Sequence, residues 1–295
     1  MQMWRDVARF HVSSVDRGRR KSMPAAAWIL LSSKTALIAS ARSGSGNGSK
    51  RRMITISIVS HGHGAMVERL LSQALSFQDV QKIILTLNIP EQLAVPVSEK
   101  ILVIRNDGPH GFGANHNAAF RQCETEFFCV LNPDVLFFED PFPQLLSVLE
   151  KRHEAAVVAP LVVTSGGRTE DSARHFPTVF SLMAKLAGRA DGRYPVEFGQ
   201  ADIEPDWIAG MIMLFRSADY KNLGGFDEAF FLYYEDVDIC ARVWRRGRKV
   251  VLSPSEKVIH DAQRASHKSW RFRRWHLQSL LRYLSRYTFH PPRKR

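Results

Sequence analysis

Cysteine is scarce. Cys123, Cys129 and Cys240 are the only three in 295 residues, an odd number with no C-x-x-C pair. That excludes a disulfide framework and a zinc ribbon, and it fits a reducing compartment. Long hydrophobic runs are missing too. The weakly apolar stretch 25–40 is short, carries Lys34 and lacks a small-residue cleavage site, so it makes a poor membrane span and a poor signal peptide. Acids are nearly absent from both ends. Residues 1–52 hold 11 Lys/Arg against 2 acids, and residues 261–295 hold 10 against 1. The formal charge of +12 therefore sits on the tails, and the body between them is mildly acidic. This distribution argues against nucleic acid as a partner of the body and points the tails toward anionic surfaces, phospholipid headgroups among them.

The length suffices for one large α/β domain, and a composition of 45% hydrophobic and 24% charged residues fits a soluble globular enzyme. Residues 1–52 combine Arg/Lys clusters with the Gly/Ser-rich run 43–49, which reads as a flexible linker, so this segment is expected to be a disordered extension. From Met53 the pattern becomes βα alternation. Residues 54–60 are β-branched and stop at His61-Gly62-His63-Gly64; Val67, Leu70, Leu71 and Ala74 then mark one face of a helix. Further strands are expected over 82–87, 100–104 and 127–131, and a short helix over 114–122. Asp140 and Pro141 open a helix to about Arg152 as N-cap and first residue. In the second half a strand is expected over 206–215 and a helix over 217–223 ended by Gly224-Gly225. A longer helix over 235–247 and strands over 248–252 and 256–260 follow. Alternation of this kind predicts a mostly parallel central sheet flanked by helices, with ligands outside the carboxyl ends of the strands.

Three segments carry chemistry. Asn132-Pro133-Asp134 follows an apolar strand; Pro133 ends the ladder, so Asp134 is presented where a ligand would sit. A hard carboxylate there suits Mg2+ or Mn2+ on a diphosphate, and it equally suits a turn Asp that satisfies backbone donors. Gly111-Phe112-Gly113-Ala114-Asn115-His116-Asn117 is a glycine turn into a helix. It lacks the third glycine of a dinucleotide fingerprint and the Lys of a P-loop, but offers backbone N–H groups and the amides of Asn115 and Asn117 to a phosphate or ribose. It reads as well as a capped helix start. In 230–238 the helical spacing of Asp236, Ile239, Cys240 and Val243 sets a carboxylate at the edge of an apolar face, with Glu235, Asp238 and Arg242 as a more polar stripe beside it. A partly buried carboxylate with a raised pKa is what a general base needs. His260, closing an apolar run, is read either as a structural histidine or as a ligand.

In their order these pieces resemble the family 2 glycosyltransferases of the GT-A (Rossmann-like) fold, rhamnosyltransferase-like branch. The resemblance covers about 53–262. It rests on 111–117, Leu131-Asn132-Pro133-Asp134-Val135, 207–213, Gly224-Gly225-Phe226-Asp227, 234–242 and Val258-Ile259-His260. It implies an inverting, metal-dependent hexosyl transfer from a nucleoside-diphosphate sugar. Asp236 would be the base with Glu235 beside it, and Asp134 and His260 would hold Mg2+ or Mn2+. Ser60, Asn88, Gly111, Gly113, Asn115, Asn117, Asn132 and Asp134 would line the donor, and Trp207, Gly210 and Met211 the acceptor. The branch favours dTDP-rhamnose, with a UDP-sugar as the other choice. The acceptor would be a saccharide or lipid-linked saccharide in cell-surface polysaccharide synthesis. One departure stands out: Leu87 occupies the position where the second strand of such enzymes ends in an Asp that contacts the nucleoside, and only Asn88 is retained.

Residues 263–295 are expected to form a basic amphipathic helix with Leu277, Leu280, Leu281 and Leu284 on one face, either docked on the domain or lying on an anionic membrane. The corresponding location is cytoplasmic, peripheral on the inner face of the cytoplasmic membrane. Two other readings compete: a nucleotide-sugar-binding relative without turnover, and a membrane-surface scaffold.

Overall fold

The structure is a computed structural model that describes residues 52–189, 192–260, 270–289 and 292. The expectations for 1–51, the linker and apolar stretch included, lie outside these residues. In chain order the elements are β1 (Ile54–Ser60), α1 (Ala65–Ser76), β2 (Val80–Leu87), β3 (Ile101–Arg105), α2 (Phe112–Phe120), β4 (Phe127–Leu131), β5 (Val135–Phe137) and α3 (Phe142–Lys151). There follow β6 (Ala155–Val163), β7 (Ala173–Arg174), α4 (Val179–Leu186), β8 (Trp207–Ile208), β9 (Ile212–Arg216) and α5 (Ser217–Leu223). The chain then forms α6 (Glu235–Arg245), β10 (Lys249–His260) and α7 (Trp270–Tyr287).

Eight strands make one sheet in the order β3-β2-β1-β4-β9-β6-β10-β5, and β7 and β8 form a separate pair. β9 runs antiparallel to both its neighbours and β5 antiparallel to β10, while the other pairs are parallel. β1 lies between β2 and β4, so the connections leaving β1 and β4 diverge and open a crevice at their carboxyl ends. One face of the sheet packs on α1 through Val67, Leu70, Leu71 and Ala74, the four positions the helical period selects. The other face packs on α6.

Several expected boundaries are corrected. The strand expected over 206–215 is two strands, β8 and β9, because the chain breaks away at Ala209-Gly210 to bond elsewhere: Ala209 N–H donates to Ser172 O and Gly210 N–H to the Asp236 carboxylate. α3 starts one residue later than expected, with Pro141 at the cap position, although Asp140 Oδ1 still accepts the Phe142 N–H at 3.0 Å. The strands expected over 248–252 and 256–260 are one strand, β10, irregular between Ser253 and Lys257. The irregularity stands opposite Pro160 of β6, which has no N–H to give to a ladder. β6 itself has no counterpart among the expectations. All nine of its residues are buried, so it shows an unbroken apolar run without the alternation that marks a half-buried strand.

α7 is docked, in the same compact unit as the sheet. Its buried positions are Ser279, Tyr283 and Tyr287, whereas Leu277 and Leu281 of the expected leucine face are more than half exposed. The tyrosines win the buried side because the domain offers them partners: Tyr287 Oη donates to Asp238 Oδ1 at 2.8 Å, and the Tyr283 ring lies 5.5 Å from that of Tyr234.

Candidate active site

The turn after β4 and the end of β10 meet because β5 pairs with β10 in a register that sets Val135 opposite His260. Asp134, one residue before Val135, then lies with Oδ2 3.3 Å from His260 Nε2. Asp134 Oδ1 is buried and has no hydrogen-bond partner among the described residues. Burial works to raise the pKa of this carboxyl, but the hydrogen bond and charge of His260, with His63 behind them, outweigh it and hold the group below its ordinary value. The carboxylate is thus kept ionised with one oxygen unspent. Among the described residues no group of three or more His, Cys, Asp or Glu is arranged to hold a metal ion. One carboxylate and one imidazole are a partial ligand set, of the kind that Mg2+ or Mn2+ completes with substrate phosphates and water.

The second acid centre is joined to the first through the backbone. Asn132 N–H donates to Met211 O at 2.8 Å, and the preceding Gly210 N–H donates to Asp236 Oδ2 at 3.1 Å. The break between β8 and β9 therefore ties the Asn132-Pro133-Asp134 turn to the start of α6. A side chain at Gly210 would stand 3.2 Å from the Phe112 ring and close on Asp236 Cβ, so glycine leaves room there. Val237 N–H donates to Asp236 Oδ1 at 2.8 Å. Asp236 is half-buried, and burial raises its pKa even against these two N–H donors. Glu235 is buried; burial first and the charge of Asp236 second push its pKa well above the ordinary carboxylate range, and its Oε2 has no partner among the described residues.

The polar stripe expected on α6 is corrected. Glu235 and Asp238 are buried, Asp238 completely, and Asp236 is the most open acid of the three. Asp238 is accommodated because Arg242, Arg286 and Tyr287 all donate to it, at 2.7, 2.6 and 2.8 Å. Just before α6 the backbone does something the sequence does not announce. Tyr233 and Tyr234 adopt consecutive left-handed conformations, φ 70° and 68°, which cost about 1–3 kcal/mol each for residues with a side chain. α7 offsets that strain. His276 packs on both tyrosine rings at 5.3 and 5.4 Å, and Ser279 Oγ donates to Leu232 O at 2.9 Å.

At the β2 side of the crevice the expected donor residues are spent internally. Asn88 Oδ1 accepts from His110 N–H and Asn106 Nδ2, while its Nδ2 donates to His110 O and His61 Nδ1. Asn115 bonds Asn106, His110 and Gly111. Asn117 binds the 226–228 segment and Tyr220. The Phe112 N–H at the start of α2 donates to Phe231 O, and added side chains at Gly111 and Gly113 would collide with Phe231 and Phe226. The glycine turn is thus a packing joint between α2 and the 225–231 segment rather than an open cradle for a phosphate. Leu87 is buried in the apolar cluster beneath α1, a place where an unpaired carboxylate could not stand. Ser60, at the end of β1, is buried with its Oγ unpartnered among the described residues, as are Thr86 Oγ1 and His116 Nε2 on this side. Trp207 lies on β8 with Nε1 donating to His175 O at 3.0 Å. Sequence reasoning missed Ser172, Arg286 and the left-handed backbone of Tyr233 and Tyr234; both tyrosines lay in a segment already singled out, and Arg286 in a stretch already read as a helix.

A family profile described as glycosyltransferase like family 2 matches residues 76–276. The rhamnosyltransferase WbbL of Escherichia coli (strain K12) is 30% identical over 246 residues, covering 79% of this chain and 93% of that protein. The N-acetylglucosaminyl-diphospho-decaprenol L-rhamnosyltransferase of Mycobacterium tuberculosis is 31% identical over 143 residues, 46% of this chain and 47% of that one. Among solved structures, GalNAc-T7 with UDP, GalNAc and Mn2+ superposes with a TM-score of 0.56 at 14% identity over 70% of this chain and 43% of that one. The mannosyltransferase PcManGT from Pyrobaculum calidifontis in complex with GDP-Man and Mn2+ gives 0.52 at 13% identity over 80% and 64%. These two likenesses show the shared GT-A fold.

Proposed function

The chain belongs to the glycosyltransferase family 2, and from that premise we propose that it moves a sugar, rhamnose for preference, from a nucleoside-diphosphate donor to a saccharide or lipid-linked saccharide of a cell-surface polysaccharide. The observation that carries this reading is the backbone bridge Asn132–Met211–Gly210–Asp236, which binds an ionised carboxylate with an open oxygen to a half-buried one with a raised pKa. Transfer needs both: a carboxylate able to hold the cation that would receive the departing diphosphate, and a base for the acceptor hydroxyl. Asp236 takes the proton from that hydroxyl as it attacks the sugar carbon from the face opposite the diphosphate, giving inversion in one displacement. Gly210 N–H fixes Oδ2 of the base, and Trp207, Gly210 and Met211 flank the acceptor. Asp134 and His260 would hold Mg2+ or Mn2+, which when bound supplies positive charge to the leaving diphosphate. Ser60 and Asn132 line the donor, while Asn88, Asn115 and Asn117 shape that side as struts.

Two relatives support the choice of sugar and acceptor: one is a rhamnosyltransferase, the other an N-acetylglucosaminyl-diphospho-decaprenol L-rhamnosyltransferase. No helix among the described residues is long and apolar enough to cross a membrane. Peripheral association on the inner face of the cytoplasmic membrane, through the exposed Arg273, Arg274, Leu277 and Leu281 of α7, is part of the proposal. The deciding experiment is a donor screen over dTDP-rhamnose and UDP-sugars with Mg2+, Mn2+ or chelator, reading nucleotide release and product anomer. Metal-stimulated turnover of one donor with inverted product is expected. Binding of a donor with no turnover under any condition would instead identify a non-catalytic relative.

A further inference from the structure

Between Phe176 and Tyr194 the chain leaves the domain and returns to a single anchor. Phe176 is buried and its N–H donates to Asp206 Oδ2 at 2.8 Å; Tyr194 Oη donates to Asp206 Oδ1 at 2.9 Å. The His175 ring lies on Tyr194 with centroids 4.1 Å apart, and Trp244 Nε1 holds the Asp206 carbonyl at 2.9 Å. The foot of the excursion is fixed on all sides. Its tip is α4, and α4 has a different basis. Thr178 Oγ1 accepts the Ser181 N–H at 3.0 Å and Ser181 Oγ accepts the Thr178 N–H at 2.8 Å, a reciprocal cap that sets the helix from within. None of residues 179–185 is buried: Phe180 is 83% exposed, Met183 63% and Val179 41%.

An eight-residue helix is too short to hold itself in water by propensity, and this one shows its apolar side chains to solvent. Its charge says what covers them. Between Asp171 and Asp191 there is no acidic residue, and Lys185 and Arg189 come after the apolar side chains. Arg174 at the foot is already paired with Asp171, so the basic groups added by the tip are Lys185 and Arg189. A short helix with aromatic and thioether side chains on one side and cations at its end matches the interface of an anionic bilayer. The foot also lies on the acceptor side of the cleft. Arg174 of β7 is in register with Trp207 of β8, and Ala209 N–H donates to Ser172 O one residue before Gly210 meets Asp236.

We propose that α4 is an interfacial helix that inserts Val179, Phe180 and Met183 into an anionic leaflet beside the acceptor opening, so that a lipid-linked acceptor reaches Asp236 without leaving the membrane. The proposal rests on the lipid-linked reading of the acceptor given above, and it names a surface separate from α7.

The test uses the full chain in two double variants, Phe180→Ser with Met183→Ser, and Lys185→Glu with Arg189→Glu, with unchanged thermal melting as the folding control. Co-sedimentation is measured on phosphatidylcholine vesicles with and without phosphatidylglycerol. Each variant is expected to lose at least about tenfold in binding to the anionic vesicles, the order of effect of withdrawing two large apolar side chains or reversing two charges. Transfer to a lipid-linked acceptor in those vesicles should fall in parallel, while transfer to a water-soluble short-chain acceptor stays at the parent rate. Parent-like vesicle binding by both variants overturns the proposal. So does an equal fall with the soluble acceptor, which would make α4 part of the acceptor pocket, and so does a parent dimer that the Phe180 variant dissociates, which would make it a contact between copies. Vesicle binding is read without turnover, so a chain that binds through α4 yet transfers no sugar refutes the proposed function alone.

Discussion

On the β2 side of the cleft Asn88 commits both amide hydrogens and both lone pairs of its oxygen to the protein, whereas across the cleft Asp134 Oδ1 and Glu235 Oε2 are buried with no partner among the described residues. The amides of the first region are saturated, with only the hydroxyls of Ser60 and Thr86 and the His116 ring left partly unpaired among the described residues, whereas the second leaves carboxylate oxygens unmet. A saturated amide stiffens a wall, and an unsatisfied carboxylate oxygen at a strand end costs free energy unless something arrives to meet it. Ligand chemistry belongs where polar capacity remains. The residues that fill a motif are therefore not all of one kind, because the asparagines of 111–117 hold the wall while the carboxylates of Asp134 and Glu235 keep an oxygen unspent.

Four substitutions break or sharpen that contrast. Asp236→Asn keeps the shape and removes the base, so kcat should fall about 10²–10⁴-fold with the donor Kd, measured by calorimetry, close to the parent. Parent-like turnover would remove Asp236 from the role. In the parent, kcat/KM should rise with pH through a value above the ordinary one for an aspartate, since burial raises the Asp236 pKa and only the ionised form accepts a proton. Asp134→Ala should weaken metal-stimulated donor binding about 10–100-fold, the weight of one charged contact. Metal stimulation surviving unchanged would place the ion elsewhere.

Asn88→Ala tests the other wall. It strands the His110 N–H and its neighbours, so stability should drop by roughly 1–3 kcal/mol in denaturant unfolding, with the donor Kd of the folded fraction little changed. A large rise in donor Kd without loss of stability would make Asn88 a ligand contact after all. The smallest effect is that of Glu235→Gln. Because the folded-state pKa of Glu235 is raised, its contribution to stability is fully present below the unfolded value of about 4.3 and is lost as pH rises through the folded one. Glutamine cannot lose that proton, so the variant should melt above the parent at alkaline pH and converge with it in acid.

Much of this arrangement is legible in the residues. The face of α1 follows from a 3.6-residue period, β4 from an apolar run closed by Pro133, and α5 from its left-handed Gly224-Gly225 stop. Asp236 could be singled out by its spacing alone. What escaped has a common cause. β6 is buried on both faces and so carries no period, and the burial of Asp238 depends on Arg286 and Tyr287, 48 and 49 residues away. The leucines of α7 lost the inner face to tyrosines whose partners sit on another helix. The break at Gly210 is set by a carboxylate 26 positions further on. Local pattern reads solvent contrast; it does not read a tertiary hydrogen bond.

The left-handed pair Tyr233-Tyr234 also bears on the order in which the molecule is made. The turn that leads into α6 is unfavourable by itself, and the side chains that hold it, His276, Ser279 and Tyr283, are synthesised some 40 to 50 residues later. When Asp236 is added to the growing chain, the residues that brace the turn before it have not yet been made. The turn gains its support only once α7 has been made and has packed on it.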